Sequence, residues 1–349
     1  MLAGISYVPL LHSKRAEIKA IEKLDDFVKD NIFFIIVMRP WPNAGQLSAM
    51  IEKIDAVIGN RRFALDLDES KFNVASDLDA QEQFNQLFSP NDSFSNYYRM
   101  IESLSGAVPV LQVKAVEPHI GEQFEKVDAL GRGVVIRIER DKPDILDQVF
   151  QHAHVDDTLF AVDVGWQKDV LQQEMWASQI ISRITDWNEN AEISCLSSSF
   201  PDSFNHIEHR GSFTIDDREL FNRLRQRNNI ADLIYGDWGS TRKSNEGGGG
   251  TPPARIDLAG DRDWTSYRIT GPERTYREIA TRAVADDGWS DVQDCWGKYS
   301  IECTALGVPN GIRGTEGAAL SRINLHLTVQ SQFGDEAVDV PDQPFVDNF

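Results

Sequence analysis

Residues 5–38 read ISYVPLLHSKRAEIKAIEKLDDFVKDNIFFIIVM, and this stretch decides the fold. Ile5–Leu11 and Ile32–Met38 are short, nearly continuous apolar runs. That pattern suits parallel strands covered on both faces. Between them Ile18, Ile21, Leu24, Phe27 and Val28 fall on one stripe of a helix over Lys14–Lys29, with Lys19, Glu22, Lys23 and Asp26 on the other side. Strand, amphipathic helix, strand is a βαβ unit with a right-handed crossover.

The unit repeats. Further strands are predicted at Arg62–Leu67, Val108–Val113, Gly133–Glu139, Thr158–Val164, Glu192–Leu196 and Ala231–Tyr235, with helices at Leu171–Trp187 and Asp217–Arg227 among the segments between. Eight such units are what a TIM-type (β/α)8 barrel needs, and they exceed the usual open-sheet count. No Gly-rich dinucleotide fingerprint opens the first helix, which weighs against a Rossmann sheet. The expected organisation is an α/β barrel over 1–243, a Gly/Pro loop over 244–253, and a C-terminal α+β extension over 254–333 packing on the barrel. An acidic tail over 334–349, five acids and no base, is expected to be disordered. Within the extension Arg255–Leu258, Tyr299–Leu306 and Ile323–Gln330 read as strands, the last half-buried, and Arg274–Ala285 as a helix.

Composition narrows the function classes. Thirty-five Lys and Arg against 55 Asp and Glu leave a net charge of −20, which repels phosphate backbones and disfavours general nucleic-acid binding. Cys195, Cys295 and Cys303 are sparse and irregularly spaced, which fits a reducing cytoplasm rather than a disulfide framework or zinc site. No run of about 18 apolar residues offers a membrane span. The N-terminus lacks the apolar stretch of a signal peptide, so the expected location is cytoplasmic.

In this barrel class the working residues sit where strands end and βα loops begin. Each predicted strand turns polar there: His12-Ser13-Lys14, Arg39 to Trp41, Asp66 to Glu69, Gln112 to Lys114, Arg137 to Arg140, Asp163 to Trp166, Ser197 to Ser199, and Gly236 to Ser240. The expected mouth sets Asp66, Asp68, Asp163 and Asp237 beside Lys14, Arg39, Lys114, Arg137 and Arg242. Trp238 is an aromatic surface for a base or sugar, between two Gly that allow close backbone approach. Oxygen ligands of this kind can hold a divalent metal, and Arg can hold an anion. The competing reading is bland. Strands end in polar residues because the chain meets water, and Arg–Asp pairs serve as struts. His206 and His209 would share a helix face and could bind metal, but no third ligand is evident. His326 is expected to be a satisfied core histidine. No Walker loop, nucleophile elbow, HExxH or kinase signature is present, and the Ser197–Ser199 run matches no hydrolase motif.

Tyr7-Val8-Pro9-Leu10-Leu11, followed by Lys14, Ala16-Glu17 and Leu24, resembles the opening of the Beta protein family of phages and bacterial genomes. Tyr235-Gly236-Asp237-Trp238 and the late Asn324-Leu325-His326 resemble further motifs of that family. Where two adjacent His would be looked for, this chain has Leu325 and then His326. The resemblance implies a phage, prophage or mobile-element setting and a part in conflict between phage and host. It carries no mechanism. Two functions therefore stand at this point. One is a binding or regulatory protein acting through protein partners. The other is a metal-assisted phosphodiesterase or related hydrolase, with the four Asp around a divalent metal and Arg39 or Arg137 on phosphate.

Overall fold

The computed structural model describes residues 2, 4–41, 45–76, 78–113, 118–141, 144–228, 230, 232–242, 253–269 and 275–333. Lys114, most of the Gly/Pro loop and the tail over 334–349 lie outside the described residues.

Eight parallel strands form the barrel. In chain order they are β1 (Tyr7–His12), β2 (Ile35–Met38), β3 (Phe63–Leu67), β4 (Ala107–Pro109), β5 (Val134–Glu139), β6 (Thr158–Trp166) and β7 (Glu192–Ser198), then, after a short β8 (Arg210–Thr214), β9 (Ile234–Asp237). They run β4-β3-β2-β1-β9-β7-β6-β5 around the sheet. The ends of that order meet where Val110 bridges Val135 in parallel. The wall is therefore an almost closed (β/α)8 barrel.

Helices cover its outside: α1 (Arg15–Glu22), α2 (Asp26–Asp30), α3 (Ser48–Ile58), α4 (Asp79–Leu87), α5 (Ser95–Glu102), α6 (Ile120–Leu130), α7 (Ile145–Val149), α8 (Glu174–Trp187) and α9 (Asp216–Arg227). The single helix read over 14–29 is two, because Asp25 takes an extended conformation and opens α2. Phe27 is thereby 43% exposed instead of packed.

The period of two along each strand splits the apolar side chains into two cores. Val8, Leu10, Ile35, Val37, Ala64, Val110, Val135, Leu159, Ala161 and Leu196 fill the barrel interior, with Trp238 above them. Tyr7, Leu11, Ile36, Leu65, Ile136, Val162, Cys195 and Tyr235 face outward against the helices. Both faces are buried, which is why the strands read as unbroken apolar runs.

The C-terminal extension is β10 (Arg255–Ala259), β11 (Asp263–Arg268), α10 (Tyr276–Val284), α11 (Trp296–Leu306) and α12 (Thr315–Ser331). Strand β8, inserted between barrel strands β7 and β9, completes its antiparallel sheet in the order β10-β11-β8. The start of α10 is set by a capping box between Thr275 and Glu278.

Two expectations for the extension are overturned. Tyr299–Leu306 is part of helix α11, and Ile323–Gln330 is part of the buried helix α12. The alternation that suggested a strand has a helical cause. Ile323 and Leu327, four apart, enter the barrel-side core. Leu325 and Val329, also four apart, enter the core of the small sheet. Two i,i+4 stripes on opposite sides of one helix imitate a period of two. The polar residues between them are buried too: Asn324 bonds Gly297 and Ala20, His326 pairs with Asp237, and Thr328 donates to the Asn324 carbonyl of its own helix.

Candidate functional site at the barrel mouth

Strand parity decides what meets at the mouth. Asp66, Arg137 and Asp163 each lie two residues beyond an interior residue (Ala64, Val135 and Ala161), so all three point into the barrel. Asp237 lies two beyond Tyr235, which faces outward. The structure therefore brings Asp66, Arg137 and Asp163 together and places Asp237 on the other side of the wall.

Inside the mouth Arg137 is the hub. Its Nη1 donates to Asp66 at 3.0 Å, its Nε to Asp163 at 2.9 Å, and its Nη2 to Glu139 at 3.0 Å and Asp163 at 2.7 Å. The second oxygens of Asp163 and Asp66 are used as well. Asp163 accepts from the Gly165 amide at 2.9 Å and the Trp238 indole at 3.0 Å. Asp66 accepts from the Leu67 amide at 2.8 Å and Gln112 at 3.2 Å. Burial alone would lower the Arg137 pKa, but Asp163, Glu139 and Asp66 outweigh it and hold the guanidinium firmly charged. Trp238 is thus a buried donor inside the barrel. The void beside Asp66, Gln112, Arg137 and Glu139 is about 20 Å³, room for about one water.

Asp237 belongs to a second network, between the wall and α12. It accepts from the Tyr7 hydroxyl at 2.5 Å, the Tyr235 hydroxyl at 2.8 Å and the Gly239 amide at 2.7 Å, and it pairs with His326 Nε2 at 2.8 Å. Burial would raise its pKa, but His326 and these hydrogen bonds outweigh it and hold the carboxyl below its ordinary range. Gly236 serves packing. A Cβ there would lie 2.4 Å from Leu196 and 2.7 Å from the Val8 carbonyl.

The expected four-Asp metal site is not assembled. Asp68 pairs with Arg39 at 3.4 Å, Asp66 and Asp163 with Arg137, and Asp237 with His326. Among the described residues no group of three or more His, Cys, Asp and Glu is arranged to hold a metal ion. His206 and His209 lie in an exposed turn before β8, and His209 Nδ1 is 3.3 Å from Arg282. Arg242 is anchored by the Asp202 and Pro201 carbonyls. The serine run is structural. Ser197 and Ser199 donate to the buried Asp217 at 2.5 and 2.7 Å, and Ser198 to the Thr241 carbonyl. Burial pushes Asp217 up to about 6, with Asp237 adding to the rise.

Outside the ring, at the ends of β1 and β2, the surface opens into a cleft of about 700 Å³. Lys14 and Arg39, expected at the mouth beside the four Asp, line this separate cleft instead. Arg15, Trp41 and Lys71 join them, and nothing in strand-end reasoning singles out Arg15 or Lys71. Lys71 follows β3 by a 3-10 turn (Glu69–Lys71), which carries it past the strand end. Buried Ser13 ties the two strand ends together. Its hydroxyl bonds the Arg39 amide at 2.9 Å, and its carbonyl accepts the Trp41 indole N–H. Glu17 accepts from the His12 amide at 2.5 Å and sits 3.6 Å from Lys14. Burial first, then Lys14, Arg39, Arg137 and Lys71, depress the His12 pKa well below its usual value.

The sequence profile of the Beta protein family matches residues 7–332. The chain belongs to the Beta protein family. This Beta-family chain is 26% identical over 345 residues to Protein beta of Enterobacteria phage P4, covering 95% of this chain and 94% of the relative. Among solved structures it resembles a Streptomyces thermolilacinus beta-mannanase with mannohexaose, at TM-score 0.39 and 10% identity, over 66% of this chain and 75% of that one. A biosynthetic arginine decarboxylase from Campylobacter jejuni gives TM-score 0.37 and 8% identity, over 93% and 55%. Likeness at this level carries no argument about what the Beta-family chain does. No helix among its described residues is long and apolar enough to cross a membrane.

Proposed function

We propose that this Beta-family protein is a binding or regulatory protein of phage or mobile-element origin. It acts in the host cytoplasm through a protein partner, in conflict between phage and host. The observation that carries this over a metal-assisted hydrolase is Arg137. A guanidinium already occupies the centre of the mouth carboxylates, where a metal and its substrate would have to sit. The kinship with a phage protein supports the setting. The open surface at the strand ends, where such barrels place their working residues, supports the location.

The test is reconstitution. The protein is expressed in a host challenged with phage, a partner is captured by crosslinking, and the two purified proteins are mixed. Altered plating efficiency together with a stoichiometric complex on size exclusion is expected. Metal-dependent cleavage of a phosphodiester by the purified protein, abolished by Asp66→Asn, would overturn the proposal and restore the hydrolase.

A further inference from the structure

The cleft at the ends of β1 and β2 differs from the rest of the molecule in charge. Lys14, Arg15, Arg39 and Lys71 converge on it, whereas the chain as a whole carries −20. Glu316, the one acid among its described lining residues, is engaged by Lys19 at 2.7 Å. Trp41 lines the same cleft, with the Arg15 guanidinium 5.6 Å from its ring centre. Val74, Ala75, Leu78 and Ala80 give the lining an apolar part, beside Ser76 and Gln81. The platform is held from below by the Ser13 and Glu17 hydrogen bonds, so the cations at the strand ends stand on rigid elements.

We propose that this cleft is a binding site for a nucleoside di- or triphosphate. Three features select that class. Four cations at one place, against the two carboxylates Asp68 beside Arg39 and Glu17 beside Lys14, leave an excess of positive charge that matches linked phosphates. Carboxylates strung along a peptide would need a stripe instead. An aromatic ring in a partly apolar lining suits a planar base, which bare phosphate lacks. A volume of about 700 Å³ lies within the range of small-ligand pockets, and a nucleic-acid strand extending beyond it would meet the repulsion of the acidic surface. The inference goes beyond the partner reading and does not depend on it.

The experiment is calorimetric titration of the purified full-length chain with ATP, pyrophosphate, adenosine and an acidic peptide. Saturable one-to-one ATP binding is expected, weakened tenfold or more by Arg15→Ala and by Lys71→Ala. These two changes sit on partly exposed side chains and leave the core intact, which an unchanged Tm checks. Trp41→Leu is expected to weaken ATP while leaving pyrophosphate unchanged. The absence of ATP binding would overturn the proposal. So would ATP binding indifferent to Arg15→Ala and Lys71→Ala, pyrophosphate binding as tightly as ATP, or capture of the acidic peptide alone. No partner protein enters the titration, so its failure is separate from failure of the reconstitution.

Discussion

Arg137 touches three carboxylates, and its removal is the sharpest test at the scale of single residues. Arg137→Met would leave Asp66 and Asp163 buried without a counter-charge. The expected loss is about 3–5 kcal/mol of unfolding free energy, read from urea denaturation at neutral pH. A loss within that of an ordinary surface substitution would show that the carboxylates do not depend on it. Asp217 makes the opposite prediction. Its folded pKa of about 6 lies above the unfolded value, so between about pH 4 and 6 the folded chain holds a proton that the unfolded chain has released. Stability therefore falls as pH rises through that window, and the cost is fully present above it. Asp217→Asn is expected to raise Tm at pH 7–8 and to lose that advantage toward pH 4. An advantage that does not change with pH would contradict the assignment.

At the scale of elements, α11 and α12 cross where Gly297 has no side chain. A Cβ there would sit 2.4 Å from the Ser321 carbonyl, and the Gly297 amide donates to Asn324 at 2.8 Å. Gly297→Ala must push the helices apart. The expected cost is about 1–3 kcal/mol, seen as a lower Tm. The crossing also shows what the sequence reveals and what it hides. The barrel strands were legible because they are apolar on both faces and recur in βαβ units. Helix α12 was not, because packing against two cores replaces an amphipathic stripe with an alternating one. The mouth was legible only in part. Strand ends located Asp66, Arg137 and Asp163, and parity, read from which neighbours are interior, separates Asp237 from them. Lys71 and Arg15 reach the cleft through a turn and a helix start, which no strand-end rule identifies.

Across the whole molecule, closing eight strands into a ring creates two kinds of polar ground. Inside the mouth, three carboxylates close around the one guanidinium of Arg137 with about one water's worth of space. Outside, against an acidic surface, the cations at the ends of β1 and β2 face an open cleft. The first is a strut and the second is a place to bind. The extension belongs to this arrangement: α12 seals the outer face of β1 and β9 through the His326–Asp237 pair, and Glu316 near its start stands at the cleft rim. Titration of the wild-type protein with Mn²⁺, followed by the electron paramagnetic resonance signal of the free ion, tests the central claim directly. With Arg137 holding the carboxylates, the free-ion signal is expected to rise from the first addition, with no stoichiometric uptake. One-to-one uptake of Mn²⁺ that disappears in Asp66→Asn would contradict it.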